Sequence, residues 1–317
     1  MDTITHGLVG VVGSRMGVRE HFGTPVGRLF VLSTILPDID NVARLAGPLS
    51  SLAHHRGITH SIFGAAAIAL LLAALARWRW STQAWWKLWV VFYLGLLSHI
   101  LLDLLTSFGT LIFTPFSSAR YSLDALFIID LSFTGICVAT LLLTRRRHGP
   151  QRSLRRARLG GLVLAGYVAV ALVNHQLAVL RVRDAHPLGK QLEVAAQPFY
   201  PTFLNWRGFV KTADGYDVAS LFLLDPRPLS FEHVTSEQDT PHARLAGNLS
   251  LVKLYYWFAR FPVVRVSSGA EGTEVKLYDL RFTGLLRREP PFVMRVHITP
   301  SGRASAILFG DHIYPVE

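Results

Sequence analysis

The chain has 317 residues, half of them apolar, and a mean hydropathy of +0.34. That is too apolar for an ordinary soluble protein of this size. The formal net charge of +11 would usually suggest nucleic acid as a partner, but its distribution argues otherwise. Seven arginines fall between Arg145 and Arg158, wedged between two apolar runs, and no acid occurs between Asp130 and Asp184. This is the pattern of a cytoplasmic membrane loop, so no nucleic-acid partner is expected. The one cysteine, Cys137, lies in an apolar run. No intrachain disulfide and no Cys-rich zinc motif can form, and any metal must be held by His, Asp and Glu. No secretory signal peptide is expected, because the first basic residue is Arg15 and the apolar start is Gly-rich and contains His6.

Two short apolar segments open the chain, at about 4–17 and 28–37, with a turn around Gly23–Pro25 between them. They read as a hairpin of short helices, re-entrant or spanning. Four longer segments follow at 61–77, 85–108, 126–144 and 159–180, each long enough or nearly so to cross a bilayer. From Asp184 acids return, Pro and Gly become frequent and the apolar runs shorten. "RGFVKTADGYDVASLFLL" reads as two strands about a turn at Asp214–Gly215, and "NLSLVKLYYWFARF" has helical spacing. "TEVKLYDLRFTG", "FVMRVHIT" and "ASAILFG" read as further strands. The expected architecture is a polytopic α-helical membrane domain over 1–183, with four long transmembrane helices and a short N-terminal hairpin. A small soluble α+β domain with antiparallel strands follows over 184–317.

With the loop 145–158 cytoplasmic, and Arg77, Arg79 and Lys87 at the other cytoplasmic turn, helix 61–77 runs inward and 85–108 outward. The chain is then a multi-pass protein of the bacterial cytoplasmic (inner) membrane. Its C-terminal domain is periplasmic or extracellular.

The polar residues of the apolar part collect in four places: "MDTITHGLVG" with Asp2 and His6, "LPDID" with Asp38 and Asp40, "HHRGITHS" with His54, His55, Arg56, Thr59 and His60, and "SHILLDLLTSFG" with His99 and Asp103. His99 and Asp103 are four apart on one helical face, as metal-binding helices place two ligands. An intramembrane hydrogen-bonded pair is the plain alternative. The carboxylates of Asp38 and Asp40 are hard oxygen ligands, or one ligand and one general base, or exposed loop residues. Arg56 reads as a headgroup anchor or as a clamp for phosphoryl oxygens. Taken singly, each group has such a plain reading. The orientation above, which uses none of these residues, brings all four segments to the same side. A bound cation would compensate carboxylates that are otherwise costly at membrane depth.

These pieces, in this order, resemble the membrane-bound metal-dependent hydrolase family of the inner-membrane YdjM type. The matching stretches are "MDTITHGLVG", "LPDIDNV", "HHRGITHS" and "SHILLDLLTSFGTLIFTPF", over about residues 1–180. The resemblance implies metal ligation by His6, Asp38, Asp40, His55, His60, His99 and Asp103, with zinc as the expected divalent metal and manganese as the other candidate. Asp40 or Asp103 would then act as general base or orient a ligating histidine, and Arg56 would stabilise phosphoryl charge. At headgroup depth the expected substrate is an ester or phosphoester of a membrane lipid or lipid-linked molecule.

A non-catalytic, metal-stabilised scaffold or stress-response regulator, with the soluble domain as its partner-binding module, is the alternative. A transporter is disfavoured, because the inner halves of the long helices are almost purely apolar. His233, His242, His297 and His312 lack ligand spacing and read as structural or solvated.

Overall fold

The computed structural model describes residues 1–144, 149–200, 203–284 and 289–316. Arg145, Arg146 and Arg147, at the head of the arginine-rich loop, lie outside the described residues. The chain divides into two compact units. The first comprises Met1–Asn41, His55–Leu177 and Gln197–Asn205, and the second Val42–His54, Ala178–Ala196 and Trp206–Glu317.

The first unit is helical. Helix α1 (Thr3–Gly13) is capped by the Asp2 side chain, which accepts from the Thr5 amide. A π-helical turn (Ser14–Val18) leads through Gly17, at φ 143°, into α2 (Arg19–Phe22), and α3 (Thr24–Ser33) follows with Pro25 in its first turn. After a 3-10 stretch (Leu36–Ala46) comes α4 (Pro48–His54), which belongs to the second unit. A 3-10 turn (Ile58–His60) ends at Ser61, whose hydroxyl caps α5 (Ile62–Arg79) by accepting from the Gly64 amide. Helices α6 (Trp85–Leu104), α7 (Leu131–Leu143) and α8 (Pro150–Ala185) complete the set.

Among the described residues three helices, α5, α6 and α8, are long and apolar enough to cross a membrane. The expected span at 126–144 is shorter than that. Asp130 accepts from the Phe133 amide and starts α7 at Leu131, and the helix closes at the Thr144 cap. Its 13 residues rise about 20 Å, against a hydrocarbon core of about 30 Å.

Small residues set the packing, as they do where lipid removes the hydrophobic drive between helices. Ala65, Ala69, Ala73 and Ala76 line one side of α5, against Leu88, Phe92, Leu96 and Ile100 of α6 and Val26 and Phe30 of α3. Two glycines matter for the site. A Cβ on Gly95 would stand 2.1 Å from the Ser33 hydroxyl, and one on Gly10 would stand 2.1 Å from the Thr34 hydroxyl. Only glycine lets α1, α3 and α6 approach this closely.

The second unit carries two antiparallel sheets. The first has the order β1 (Val194–Pro198), β2 (Asn205–Lys211), β3 (Gly215–Phe222), β4 (Glu232–Thr235). The second has β5 (Pro262–Gly269), β6 (Gly272–Asp279), β7 (Met294–Ile298), β8 (Ala304–Phe309) and β9 (His312–Tyr314), in that order. Strand β6 alternates strictly, burying Thr273, Val275, Leu277 and Asp279. Helices α9 (Pro241–Gly247) and α10 (Ser250–Phe258) precede the second sheet, and α10 buries Val252, Tyr255 and Phe258 along one face. Phe209, Tyr216, Val218, Phe261, Val263 and Leu280 form one shared core of this unit. The hairpin expected at Asp214–Gly215, the helix in "NLSLVKLYYWFARF" and the later strands are all present as elements.

Candidate metal centre

Three elements deliver four side chains to one spot. Asp38 comes from the 3-10 stretch after α3, His60 from the turn before α5, and His99 and Asp103 from the last two turns of α6. One donor atom of each lies within 4.8 Å of all the others. His60 Nε2 and His99 Nε2 stand 3.0 Å apart. Asp103 Oδ2 is 3.2 Å from His60 Nε2 and 3.5 Å from His99 Nε2. Asp38 Oδ1 is 3.9 and 3.7 Å from the same two nitrogens. A tetrahedral ion with bonds of about 2.0–2.1 Å has donor–donor edges of about 3.3 Å, so the spacing suits a small divalent cation.

The tautomers make the same point more strongly. His99 Nδ1 lies 2.8 Å from the Thr34 carbonyl, which can only accept, so Nδ1 carries the proton. His60 Nδ1 lies 3.0 Å from Asp40 Oδ2 and donates there. With both rings neutral, each imidazole turns an Nε2 lone pair toward the other, and both face carboxylate oxygens. A divalent cation among these four atoms would take both lone pairs and offset both carboxylates. The donor set thus fits a divalent metal, held by imidazoles whose far nitrogens are engaged by a carbonyl and a carboxylate.

The remaining sequence-derived residues surround this set. Asp40 Oδ1 is 2.8 Å from His55 Nδ1, and its Oδ2 accepts from the Arg56 amide at 2.9 Å and the Thr59 hydroxyl at 2.8 Å. Burial opposes ionisation of Asp40, but the hydrogen bonds from His55 and His60 prevail and hold its carboxyl well below the usual carboxylate range. Donor atoms of Asp40 and His55 are not among the four that converge. His6 stacks on His99 with ring centres 3.7 Å apart, and its Nε2 is 3.2 Å from Asp103 Oδ1.

Arg56 is 2% exposed and Asp103 1%. Arg56 Nη2 donates to Asp103 Oδ1 at 2.7 Å, and Nη1 to the Asp103 carbonyl and the Thr106 hydroxyl. Its backbone sits at φ 62°, a left-handed conformation unusual for a side-chain-bearing residue. The Arg56 carbonyl accepts from Leu111, and the guanidinium lies over the Phe108 ring. This side chain points into the protein, so it is no headgroup anchor.

The sequence reading missed several contributors. Thr34 supplies the carbonyl that orients His99, and its hydroxyl donates to the His6 carbonyl. Thr3 donates to Asp38 Oδ2 and leaves Oδ1 facing the histidines. The Met1 amino group donates to Asp103. The hydroxyl-rich "LSTILPD", which ends at Asp38, was an available signal for the Thr34 hydroxyl but not for its carbonyl. His54 is exposed. Asp130, besides capping α7, accepts from the Tyr167 hydroxyl.

A helical unit with apolar helices of membrane-spanning length and this His/Asp cluster at their ends defines a class: a helical protein of membrane type with a candidate metal site. Residues 1–178 match the model of the YdjM inner membrane protein family, and the chain belongs to that family. It is also similar to the uncharacterized protein YfhP of Bacillus subtilis (strain 168). The two are 25% identical over 319 positions, which span 94% of this chain and 91% of that protein. No solved structure matches.

Proposed function

We propose that this protein is a membrane-embedded metal-dependent hydrolase, acting on an ester or phosphoester of a lipid or lipid-linked substrate at the outer membrane–water interface. Under this reading it is a multi-pass protein of the cytoplasmic membrane, with its C-terminal domain on the outer side. Asp38, His60, His99 and Asp103 would hold the ion, zinc being favoured by mixed imidazole and carboxylate donors. Such an ion supplies an acidified water and polarises the scissile group.

The chain's own residues do the rest. Asp40 and the Thr34 carbonyl keep the protons of His60 and His99 on Nδ1, so both Nε2 atoms remain ligands. Arg56 neutralises Asp103 at Oδ1. The observation that carries catalysis over a purely structural role is a pair of unused polar atoms. His6 Nδ1 and Arg56 Nε are buried without a hydrogen-bond partner. Buried polar atoms are normally satisfied, and an Arg56 Nε–H beside the cluster is suited to receive a phosphoryl or acyl oxygen. A lipid substrate is supported by helix ends. His60 stands two residues before α5, and Asp103 is in the last turn of α6, both of membrane-spanning length.

The test uses purified full-length protein with its metal content measured. Short-chain phosphodiesters, phospholipids and carboxyl esters are offered, and products are read by mass spectrometry. The expected result is turnover that disappears in Asp38→Ala and His99→Ala. Metal-loaded, folded protein that turns over none of the three classes would overturn the hydrolase reading. It would leave a metal-stabilised scaffold whose soluble domain binds a partner.

A further inference from the structure

At the other end of α1 from His6 lies a cavity of about 430 Å³. It is lined by Ser14, Arg15, Arg19 and Glu20 from the π-turn and α2, and by Thr144, Gly149, Pro150 and Ser153 from the junction of α7 and α8. The hydroxyls are already committed. Ser14 donates to the Gly27 carbonyl and Ser153 to the Thr144 carbonyl, and Thr144 donates to the Thr140 carbonyl while accepting from Arg15 at 2.7 Å. Arg15 also donates to the Leu141 carbonyl, which pins its guanidinium at the end of α7. Arg19 differs. It is half-buried, it lines the cavity, and its side chain makes no hydrogen bond or ion pair among the described residues. Neighbouring Glu20 is exposed and forms no ion pair with it.

Two more arginines frame the same place. Arg156 donates to the Leu143 carbonyl at 3.0 Å and Arg158 to the Met16 carbonyl at 3.3 Å. The surroundings are therefore cationic on both sides, with Glu20 the one acid among the lining residues and none in the sequence between Asp130 and Asp184. A guanidinium with its fork unspent, in a cavity large enough for a headgroup, selects a tetrahedral oxyanion.

We propose that this cavity binds the phosphate of an anionic phospholipid headgroup, with Arg19 as the donor and the charge of Arg15, held at the end of α7, beside it. A lipid rather than free phosphate is favoured by what adjoins the cavity. One to two turns beyond Arg156 on α8, Leu159 and Leu162 are 60% and 70% exposed. Leu142 and Leu143 at the end of α7 are exposed as well. Acyl chains leaving a headgroup in the cavity would run along these side chains. The site is separate from the metal centre, and its test does not depend on hydrolysis.

The experiment is native mass spectrometry of delipidated full-length protein titrated with phosphatidylglycerol, with phosphatidylcholine, or with inorganic phosphate. Wild type is compared with Arg19→Ala and Arg19→Lys, each checked for folding by circular dichroism. The expected result is tighter binding of phosphatidylglycerol than of phosphatidylcholine. Arg19→Ala should weaken it about tenfold or more, the loss of one charged hydrogen-bond donor, and Arg19→Lys should weaken it less. Equal binding of the two lipids, or no change in Arg19→Ala, would overturn the proposal. Inorganic phosphate binding as tightly as phosphatidylglycerol would overturn the lipid assignment and make the cavity a free-phosphate site.

Discussion

His60 and His99 face each other through Nε2 at 3.0 Å, each with its other ring nitrogen already donating, to Asp40 and to the Thr34 carbonyl. With Nδ1 engaged on both rings, both Nε2 atoms are left for a shared partner, and a cation between them would take both lone pairs. Metal analysis by mass spectrometry should find about one divalent ion per chain, as four converging donors imply. Both His60→Ala and His99→Ala should lose it. A folded wild type free of metal would reduce the cluster to a polar network packing helices together.

Asp40→Asn separates orientation from ligation. Asp40 engages His60 Nδ1, and removal of such a partner weakens metal binding by about 10–100-fold without removing a ligand. Competition against a chelator should show that drop, with the fold retained. An affinity loss as complete as that of His60→Ala would instead make Asp40 a ligand.

Arg56→Ala leaves the buried Asp103 carboxylate without its principal cation. Breaking one side of a buried pair costs about 3–5 kcal/mol. Thermal unfolding in detergent should fall steeply for Arg56→Ala, while an exposed control such as Arg79→Ala should move little.

Gly95→Ala tests the close approach of α6 to α3. The new Cβ would meet the Ser33 hydroxyl at 2.1 Å, and overpacking of this kind costs about 1–3 kcal/mol. Adding Ser33→Ala removes the clashing oxygen and should recover much of the loss. If the double variant is no more stable than Gly95→Ala, the contact is not what requires glycine there.

In the second unit, Asp217 accepts from His186 Nε2 at 2.8 Å and from His233 Nδ1 at 2.7 Å. Slight burial opposes the Asp217 charge, but the bonds from His186 and His233 lower its pKa. The Asp217 hydrogen bond raises that of His233. The aspartate's contribution is therefore present above its unfolded value of about 4 and lost as pH falls through the lower folded one. The histidine's is present below about 6.5 and lost as pH rises through its raised value. Melting of wild type against Asp217→Asn should differ most between these limits, and converge outside them.

Much of the centre was readable because periodicity and charge bias are local signals. The i,i+4 relation of His99 and Asp103 follows from helical spacing alone. The arginine bias put "LPDID", "HHRGITHS" and "SHILLD" on one side before any contact was known. What escaped reading depends on tertiary geometry. Arg56 gives no sign in sequence that its backbone turns left-handed and drives the guanidinium inward onto Asp103. Thr34 acts through its main chain, which carries no side-chain signature. The shortness of α7 turns on whether Asp130 caps a helix or lies within one, and hydropathy does not distinguish the two.

The links at the centre are long in sequence. His60 and His99 are 39 residues apart, His99 and Thr34 are 65 apart, and His6 and Asp103 are 97 apart. During synthesis, Asp38 and His60 emerge well before their partners, and no site exists until α6 has been threaded into place. The carboxylate of Asp103 arrives last and joins all three histidines, His6, His60 and His99, at once. Capture of the ion would then act as a late latch on biogenesis, closing only on chains whose first six helices have reached their places.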